Sequence, residues 1–269
     1  MGKQRLKRIQ AGRLVREVLW SAAYPSDTPK ARAEKAKCSS AARQAINDRY
    51  SWEKLKMVLA ANFSYSDIVA TLTYDEDHLP PNILEARKHL KKFLANLREH
   101  RRRRGQDLLY VYNIETLHGD GRIHHHLVLN GTGQDYELIR SLWTFGTDLE
   151  FSRVETWGYE ELAKYLTKEP REYGRNCVGE RAWVGSRGLA KPEVSPTEWV
   201  NADVRLEAPV NAHVLRTNSF RNEWGSFSYL EYLLPHPPRP RRARPRQGKF
   251  QTVSSFSGLE QCILTEKGQ

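Results

Sequence analysis

The segment from Tyr110 to Asn130 has the pattern of a β-hairpin, and this is the strongest constraint on the fold. Two runs rich in β-branched, aromatic and aliphatic residues flank a short polar stretch. That stretch contains Asp120-Gly121, a dipeptide that favours the type I′ turn of two-residue hairpin loops. Because hairpin strands pair antiparallel, this part of the chain predicts an antiparallel sheet.

Three side chains of this hairpin should converge on one face. With residues 120–121 as the loop, Glu115 lies opposite His126; with residues 119–120 as the loop, Glu115 lies opposite His124. Because side chains alternate across a strand, both histidines share a face in either register, and Glu115 joins them. Two imidazoles and a carboxylate leave coordination positions for substrate, which is typical of a catalytic divalent metal site.

His125 should lie on the opposite face of the strand, with Ile123, Leu127 and Leu129, and should meet the core. A strand rich in histidine can also be a partly exposed strand, and for a single histidine that interpretation would be preferred. An acid and two histidines on one face beside a turn favour metal binding instead.

Residues 159–168 (YEELAKYLTK) have the period of a helix. Its polar side consists of Glu161, Tyr165 and Lys168. Its apolar side consists of Tyr159, Leu162, Ala163 and Leu166. Alone, this pattern indicates an ordinary amphipathic surface helix. Only beside the hairpin does a tyrosine with a lysine three residues later gain weight as a functional pair.

Three segments, in this order, resemble the motifs of the HUH endonucleases, specifically the rolling-circle replication initiators of phages and plasmids. The first motif is a strand, here Ile68–Tyr74. The second is His-hydrophobe-His, here residues 124–126 after Gly121-Arg122. The third is Tyr-x-x-Lys, here residues 165–168. His125 departs from the hydrophobic middle position, but an aromatic ring fits there.

The resemblance covers roughly residues 38–190. It includes Cys38-Ser-Ser, Asn62-Phe63 and the stretch Ser186-Arg187-Gly-Leu189, which looks like phage-type members. The family's fold implies an α+β domain of ferredoxin-like or RRM-like topology, with a central antiparallel sheet and helices on one face. The active site would then lie on the uncovered face.

The resemblance also implies a reaction. Tyr165 would attack a phosphodiester of single-stranded DNA at a replication origin, with help from Lys168, and would become linked to the 5′ end. Glu115, His124 and His126 would hold Mg²⁺ or Mn²⁺ as a Lewis acid. The free 3′ hydroxyl could prime synthesis, the reverse step could rejoin strands, and a host helicase and polymerase would be the protein partners.

Basic and hydroxyl side chains are candidates for supporting roles. The candidates for contacts with the DNA backbone are Arg122, Lys164, Arg187 and the run Arg101–Arg104. The candidates for base stacking are Trp157, Trp183 and Tyr173. Thr71 and Thr73 share the face of their strand opposite Ile68, Ala70 and Leu72, so they should border and shape the site.

Other functions fit part of the pattern. Relaxases carry the nucleophilic tyrosine ahead of the histidine motif, and single-tyrosine transposases carry glutamine four residues after the tyrosine, where this chain has Glu169. A non-catalytic nucleic-acid-binding module would leave the three metal ligands unexplained. Because positions 161 and 169 are both glutamate, no second tyrosine shares the face of Tyr165, and a single nucleophile is predicted.

Composition agrees with an anionic partner, since the net charge is +11. Three cysteines without metal-ligand spacing indicate a reducing compartment. No apolar run approaches the ~18 residues of a membrane span, and the N-terminus lacks a signal-peptide apolar block. These features predict a cytosolic protein without contact with a membrane, and the resemblance to phage and plasmid initiators implies the cytoplasm of a prokaryotic host cell.

The predicted organisation has three parts: a basic N-terminal arm or frayed helix (1–37), the HUH domain with a C-terminal extension (38–234), and a Pro/Arg-rich linker and tail (235–269). Within the domain we expect helices at 40–61, 82–104 and 135–143, and strands at 67–74 and 147–155. The stretches 182–185, 211–216 and 226–234 could extend the sheet or form a small lobe.

Overall fold

The computed structural model describes residues 3–21, 40–116, 122–168, 181–222 and 225–237, without the side chains of residues 40–46 and 222. All of these residues belong to one compact unit that extends to residue 238. The tail beyond residue 237 and all three cysteines lie outside the described residues. None of the helices in the described ranges is long and apolar enough to span a membrane.

A five-stranded sheet, the central sheet, carries the motifs. Its strands are β3 (Ile68–Leu72), β4 (Tyr110–Glu115), β5 (His124–Leu129), β6 (Leu149–Arg153) and β7 (Val184–Gly185). Their order is β6-β3-β5-β4-β7, and neighbouring strands are antiparallel. The predicted α+β class with an antiparallel sheet is therefore confirmed.

The register of the β4–β5 hairpin pairs Glu115 with His124 and Asn113 with His126. This agrees with a loop at residues 119–120, and not with the loop at Asp120-Gly121 that the dipeptide favours. The loop itself lies outside the described residues. Both registers bring the same side chains to the same faces, so the alternation of residues could not distinguish between them.

Helix α2 (Ile83–Arg103) begins at Asn82, whose Oδ1 accepts hydrogen bonds from the backbone N–H groups of Leu84 and Glu85 at 2.9 and 3.1 Å. Its apolar stripe packs on one face of the central sheet, as does helix α3 (Asp135–Leu142). The buried residues of this layer include Ile68, Leu72, Leu90, Phe93, Leu97, Leu127 and Ile139.

Helices also cover part of the other face, so the prediction of helices on one face is wrong. Helix α1 (Ser40–Asn62) and helix α4 (Glu160–Tyr165) contribute to a second buried cluster with Val111 and Val128. The sheet face that carries Glu115 and two histidines at one end is apolar at its other end. Because exposure of apolar side chains to water is unfavourable, α1 and α4 pack over the apolar end. Only the polar end is left for the site.

The prediction of an N-terminal arm or frayed helix is wrong for residues 3–20. Strands β1 (Lys3–Ala11) and β2 (Leu14–Trp20) form an antiparallel hairpin. They join β8 (Glu193–Val194), β9 (Glu198–Asn201), β10 (His213–Asn222) and β11 (Gly225–Leu233) in a second sheet. Its order is β10-β11-β2-β1-β8, with β9 also on β1. Basic residues on β1 and β2 interrupt the alternation of apolar and polar residues that would predict strands.

Arg101 is fully buried, although it begins the Arg101–Arg104 run that suggested DNA contacts. Its guanidinium donates to Asp135 at 2.8 Å and to the side chain of Asn130 at 2.7 Å. Burial opposes ionisation of Asp135, but hydrogen bonds from Thr132 and the charge of Arg101 keep its pKa below the ordinary value. Arg101 therefore holds α2 to the start of α3.

We expect Arg101→Met to destabilise the fold by about 3–5 kcal/mol, because it leaves the carboxylate of Asp135 buried without its cation. Urea unfolding of the two proteins measures the difference. The matched control is Arg103→Met, on the exposed side of the same helix turn, where little change is expected. Equal stability of the Arg101→Met and natural proteins would contradict this role.

Candidate active site

The end of the β4–β5 hairpin brings together Glu115, His124 and His126. The Glu115 Oε2 atom lies 2.8 Å from His126 Nε2 and 3.4 Å from His124 Nε2. One potential ligand atom from each of the three residues lies within 4.8 Å of the others. Glu115 and His126 are buried and His124 is partly exposed, so the group opens to solvent on one side and can hold a metal ion.

Each histidine is oriented by a hydrogen bond at its second ring nitrogen. His124 Nδ1 lies 2.8 Å from the carbonyl oxygen of Arg122, and His126 Nδ1 lies 3.2 Å from Thr71 Oγ1. Hydrogen bonds of this kind fix the ring and direct the other nitrogen to the metal position. Both Nε2 atoms consequently face the carboxylate of Glu115.

The charges of the three groups are strongly coupled. Burial opposes ionisation of the Glu115 carboxyl, but hydrogen bonds from both histidines and Lys168 outweigh it and hold its pKa well below the ordinary value. The hydrogen bond to Glu115 raises the pKa of His124, whereas burial lowers the pKa of His126. The group thus offers a carboxylate and, at His126, a neutral imidazole.

Tyr165, the last residue of α4, points its hydroxyl at this group. The phenol oxygen lies 3.3 Å from His126 Nε2 and 3.5 Å from His126 Nδ1, and the two rings meet edge to face at 4.8 Å. Tyr165 is 42% exposed, so its side chain can be reached from solvent. Burial raises the pKa of its phenol, and the nearby ammonium of Lys168 opposes that rise.

Lys168 lies between the tyrosine and the carboxylate. Its Nζ is 2.9 Å from Glu115 Oε1 and 4.7 Å from the centre of the Tyr165 ring. The lysine therefore compensates the buried negative charge and favours the phenolate form of the tyrosine by its positive charge.

The backbone before α4 fixes the direction of this short helix. Gly158 and Tyr159 have φ of 92° and 59°, the left-handed region that costs energy for a residue with a side chain. The Tyr159 hydroxyl donates to the carbonyl of Phe63 at 2.8 Å and holds the turn in place. The helix spans residues 160–165 only, and Glu161, predicted on the polar face with Tyr165, is an exposed partner of Lys164.

His125 lies on the opposite face, as predicted. It is fully buried, its Nε2 is 2.8 Å from the hydroxyl of Tyr74, and burial lowers the pKa of its imidazole to about 3. His125 is therefore a neutral core residue.

The threonines differ in their contacts. Thr71, on the site face of β3, bonds to His126. The side chain of Thr73 instead donates to the carbonyl of Asp148, next to the start of β6. Thr71 therefore touches the candidate metal group, and Thr73 joins β3 to its neighbour.

The three cations proposed for DNA contacts lie at different places. Arg122 pairs with Glu76, while its carbonyl orients His124. Lys164 pairs with Glu160 and lies 5.4 Å from the centre of the Trp52 ring. Arg187 is exposed in the turn after β7, near Tyr110. Since Tyr110 and Glu115 are at opposite ends of β4, roughly 17 Å apart, Arg187 does not join the metal group.

Two residues near the site were not predicted. Asn113 is buried opposite His126, and its Oδ1 has no hydrogen-bond partner among the described residues. Glu150 pairs with Thr71 across the β3–β6 ladder, and its charge raises the pKa of Tyr165. The period-two pattern could have found Asn113, two residues before Glu115, whereas Glu150 depends on the pairing of distant strands.

Residues 67–170 match the family model described as replication-associated protein ORF2/G2P. The match begins just before β3, ends after Lys168, and includes the complete candidate site. Over these residues the chain is similar to the replication-associated proteins of the ORF2/G2P family. The function predicted from the sequence, rolling-circle replication initiation, is confirmed at the level of this family. Comparisons with curated proteins and with solved structures found no match.

Proposed function

We propose that this replication-associated protein nicks and rejoins single-stranded DNA at a replication origin through a covalent 5′-phosphotyrosine intermediate. The observation that carries the proposal is the position of the Tyr165 hydroxyl, 3.3 Å from a ligand atom of the Glu115, His124 and His126 group. A nucleophile and a group that can hold a metal are thereby within reach of one phosphate. We also infer the HUH-type, ferredoxin-like arrangement for the central sheet.

The donor set suits a divalent cation. Two imidazole nitrogens and one carboxylate oxygen can bind Mn²⁺ or Mg²⁺. Imidazole ligands favour binding of Mn²⁺ over Mg²⁺. When bound, such a cation supplies Lewis-acid stabilisation of the charge that grows on the phosphoryl oxygens. Thr71 and the carbonyl of Arg122 keep the two Nε2 atoms directed to that position.

Tyr165 acts as the nucleophile. Its phenolate oxygen attacks phosphorus, the bond from phosphorus to the 3′ oxygen breaks, and the 3′ oxygen takes up a proton equivalent to the one that the phenol releases. The Lys168 ammonium favours the phenolate before the attack, because it lies against the ring. The covalent bond retains the energy of the phosphodiester, so attack by a 3′ hydroxyl in the reverse direction rejoins the strand.

The DNA should be single-stranded at the site, because the attacked phosphate must approach a tyrosine on a short helix above a sheet. Host helicase and polymerase would then supply strand separation and synthesis from the free 3′ hydroxyl. Contacts by the side chains of Arg122, Lys164 and Arg187 with the DNA backbone remain part of the proposal.

The decisive experiment incubates the protein with a random pool of single-stranded DNA and Mn²⁺, followed by denaturing gels. The DNA is labelled at its 3′ end in one sample and at its 5′ end in the other. A 5′-phosphotyrosine keeps the downstream fragment, so the 3′ label should migrate with the protein, and the 5′ label should not. Chelation of Mn²⁺ should remove the adduct. The opposite labelling pattern, or no adduct, would contradict the proposal.

A further inference from the structure

A groove runs between α1 and the second sheet and leads to α4. It consists of two adjoining cavities of about 510 and 470 Å³, which share Arg49, Arg216 and Glu231. The first cavity lies over strands β2, β10 and β11. The second reaches Lys164, the residue before Tyr165. One end of the groove therefore adjoins the helix that carries the candidate nucleophile.

Aromatic rings follow the groove. Phe220 on β10 stacks with Phe227 and Tyr229 on β11, with ring centres 5.2 and 6.0 Å apart and planes inclined by 20° and 15°. Phe220 is 42% exposed, and at the end near α4 Trp157 is 72% exposed. Exposed aromatic rings are stacking platforms for unpaired bases, and each of the two cavities has one.

The charges of the groove favour an anion. Its three acidic residues are each paired with at least one cation. The pairs are Glu53 with Arg16 and Arg49, Glu231 with Arg16 and Lys56, and Glu160 with Lys56 and Lys164. Arg216 is exposed at the junction of the two cavities. The basic side chains thus outnumber the carboxylates, and a phosphate backbone would meet a positive surface.

The same ion pairs connect the groove to the active site. Lys56, fully buried, bonds to Glu231 of β11 at 2.5 Å and to Glu160, the first residue of α4, at 3.3 Å. The second sheet and the tyrosine helix are therefore tied to the same point of α1. Because Lys164 lines the second cavity, a strand bound at Tyr165 would lie next to the groove.

We propose that this groove binds the single-stranded DNA next to the cleaved phosphodiester. Bases would stack on Phe220 and Trp157, and Arg216 would contact the backbone. The location next to the cleavage point rests on the proposed function, whereas the groove's preference for single strands rests on its own rings and charges. Duplex DNA does not fit this surface, because paired bases do not offer their faces to aromatic side chains.

The test measures binding of a fluorescent oligothymidine by anisotropy, in the presence of a chelator so that no cleavage occurs. The full-length variants Phe220→Ala, Trp157→Ala and Arg216→Ala are compared with the natural protein. The matched controls are Tyr65→Ala, an aromatic residue with 69% exposure before β3, and Arg205→Ala, an exposed arginine; neither residue lines the two cavities. Circular dichroism verifies folding, and Phe220→Leu replaces Phe220→Ala if that variant does not fold.

Each aromatic variant should weaken binding of the single strand about tenfold, which is the usual effect of losing one base-stacking ring. Arg216→Ala should lower the slope of log affinity against log salt by about 1. The controls should bind like the natural protein. Unchanged affinity of all three groove variants, or an equal loss for a duplex of the same length, would overturn the inference; so would an equal loss for the same sequence in RNA.

The covalent assay separates this inference from the proposed function. Groove variants should still form the tyrosine adduct at saturating oligonucleotide, because none of them lies in the catalytic group. If adducts form but groove variants bind normally, the groove inference fails alone. If the natural protein forms no adduct while groove variants lose affinity, the proposed reaction fails and the single-strand groove stands.

Discussion

Tyr165→Phe should abolish the covalent protein–DNA adduct while DNA binding stays nearly unchanged. The substitution removes only the hydroxyl that lies 3.3 Å from His126 Nε2 and keeps the ring that packs against that histidine. A phenylalanine cannot attack phosphorus, so adduct formation should fall by on the order of 10³-fold or more. Denaturing gels with 3′-labelled single-stranded DNA and Mn²⁺ measure the adduct, and anisotropy measures binding.

Two other tyrosines serve as controls. Tyr159→Phe loses a buried hydrogen bond to the carbonyl of Phe63, so it should lower stability but permit adducts. Tyr173 lies outside the described residues, and Tyr173→Phe should behave like the natural protein. If either control abolished the adduct while Tyr165→Phe retained it, the nucleophile would be another tyrosine and the proposed geometry would be wrong.

The candidate metal group could be predicted from sequence because its geometry is local. The period of two along β4 and β5 determines that Glu115, His124 and His126 share a face, whatever the exact register. The same alternation predicts that His125 lies in the core, where it is buried and bonds to the hydroxyl of Tyr74. The register of the β4–β5 pair could not be predicted. The Asp120-Gly121 dipeptide favours a loop that places Glu115 opposite His126, whereas the structure pairs Glu115 with His124.

The predictions that were wrong concern features that depend on contacts between residues far apart in the sequence. β2 pairs with β11, which is more than 200 positions away in the sequence. The basic sequence of residues 3–20 does not indicate that pairing. In the sequence, Arg101 looks like one of four exposed arginines. Its burial follows from the ion pair with Asp135 at the start of α3, which the sequence does not indicate. One face of the central sheet is apolar at Val111 and polar at Glu115. That α1 and α4 cover its apolar end could not be predicted, because these helices lie far from β4 in the sequence.

The second sheet changes how the domain can handle its substrate. The motifs alone describe a site for one phosphate, formed by the central sheet and α4. Because Lys56 joins Glu231 of the second sheet to Glu160 of α4, the second sheet supports the tyrosine helix through α1. Positioning of Tyr165 therefore depends on β11 as well as on the hairpin with the metal ligands.

Loss of a metal ligand should reduce cleavage by about 10²-fold or more, because the charge on the phosphoryl oxygens is then less stabilised. His126→Ala removes an imidazole, and Glu115→Gln removes the carboxylate charge while it conserves the shape of the side chain. Calorimetric titration should show weaker Mn²⁺ binding for both variants, and high Mn²⁺ should restore part of the cleavage. His124→Ala should behave in the same way.

The matched control is His125→Phe, between two ligands on the same strand. It keeps a ring in the core but loses the hydrogen bond with Tyr74, so its stability should fall while its Mn²⁺ affinity is maintained. The comparison separates a metal site from a strand that needs its histidines for packing, since packing alone would make the three histidine variants equally unstable. Unaltered Mn²⁺ affinity in His126→Ala would show that the ligand atoms near Glu115 do not hold the metal.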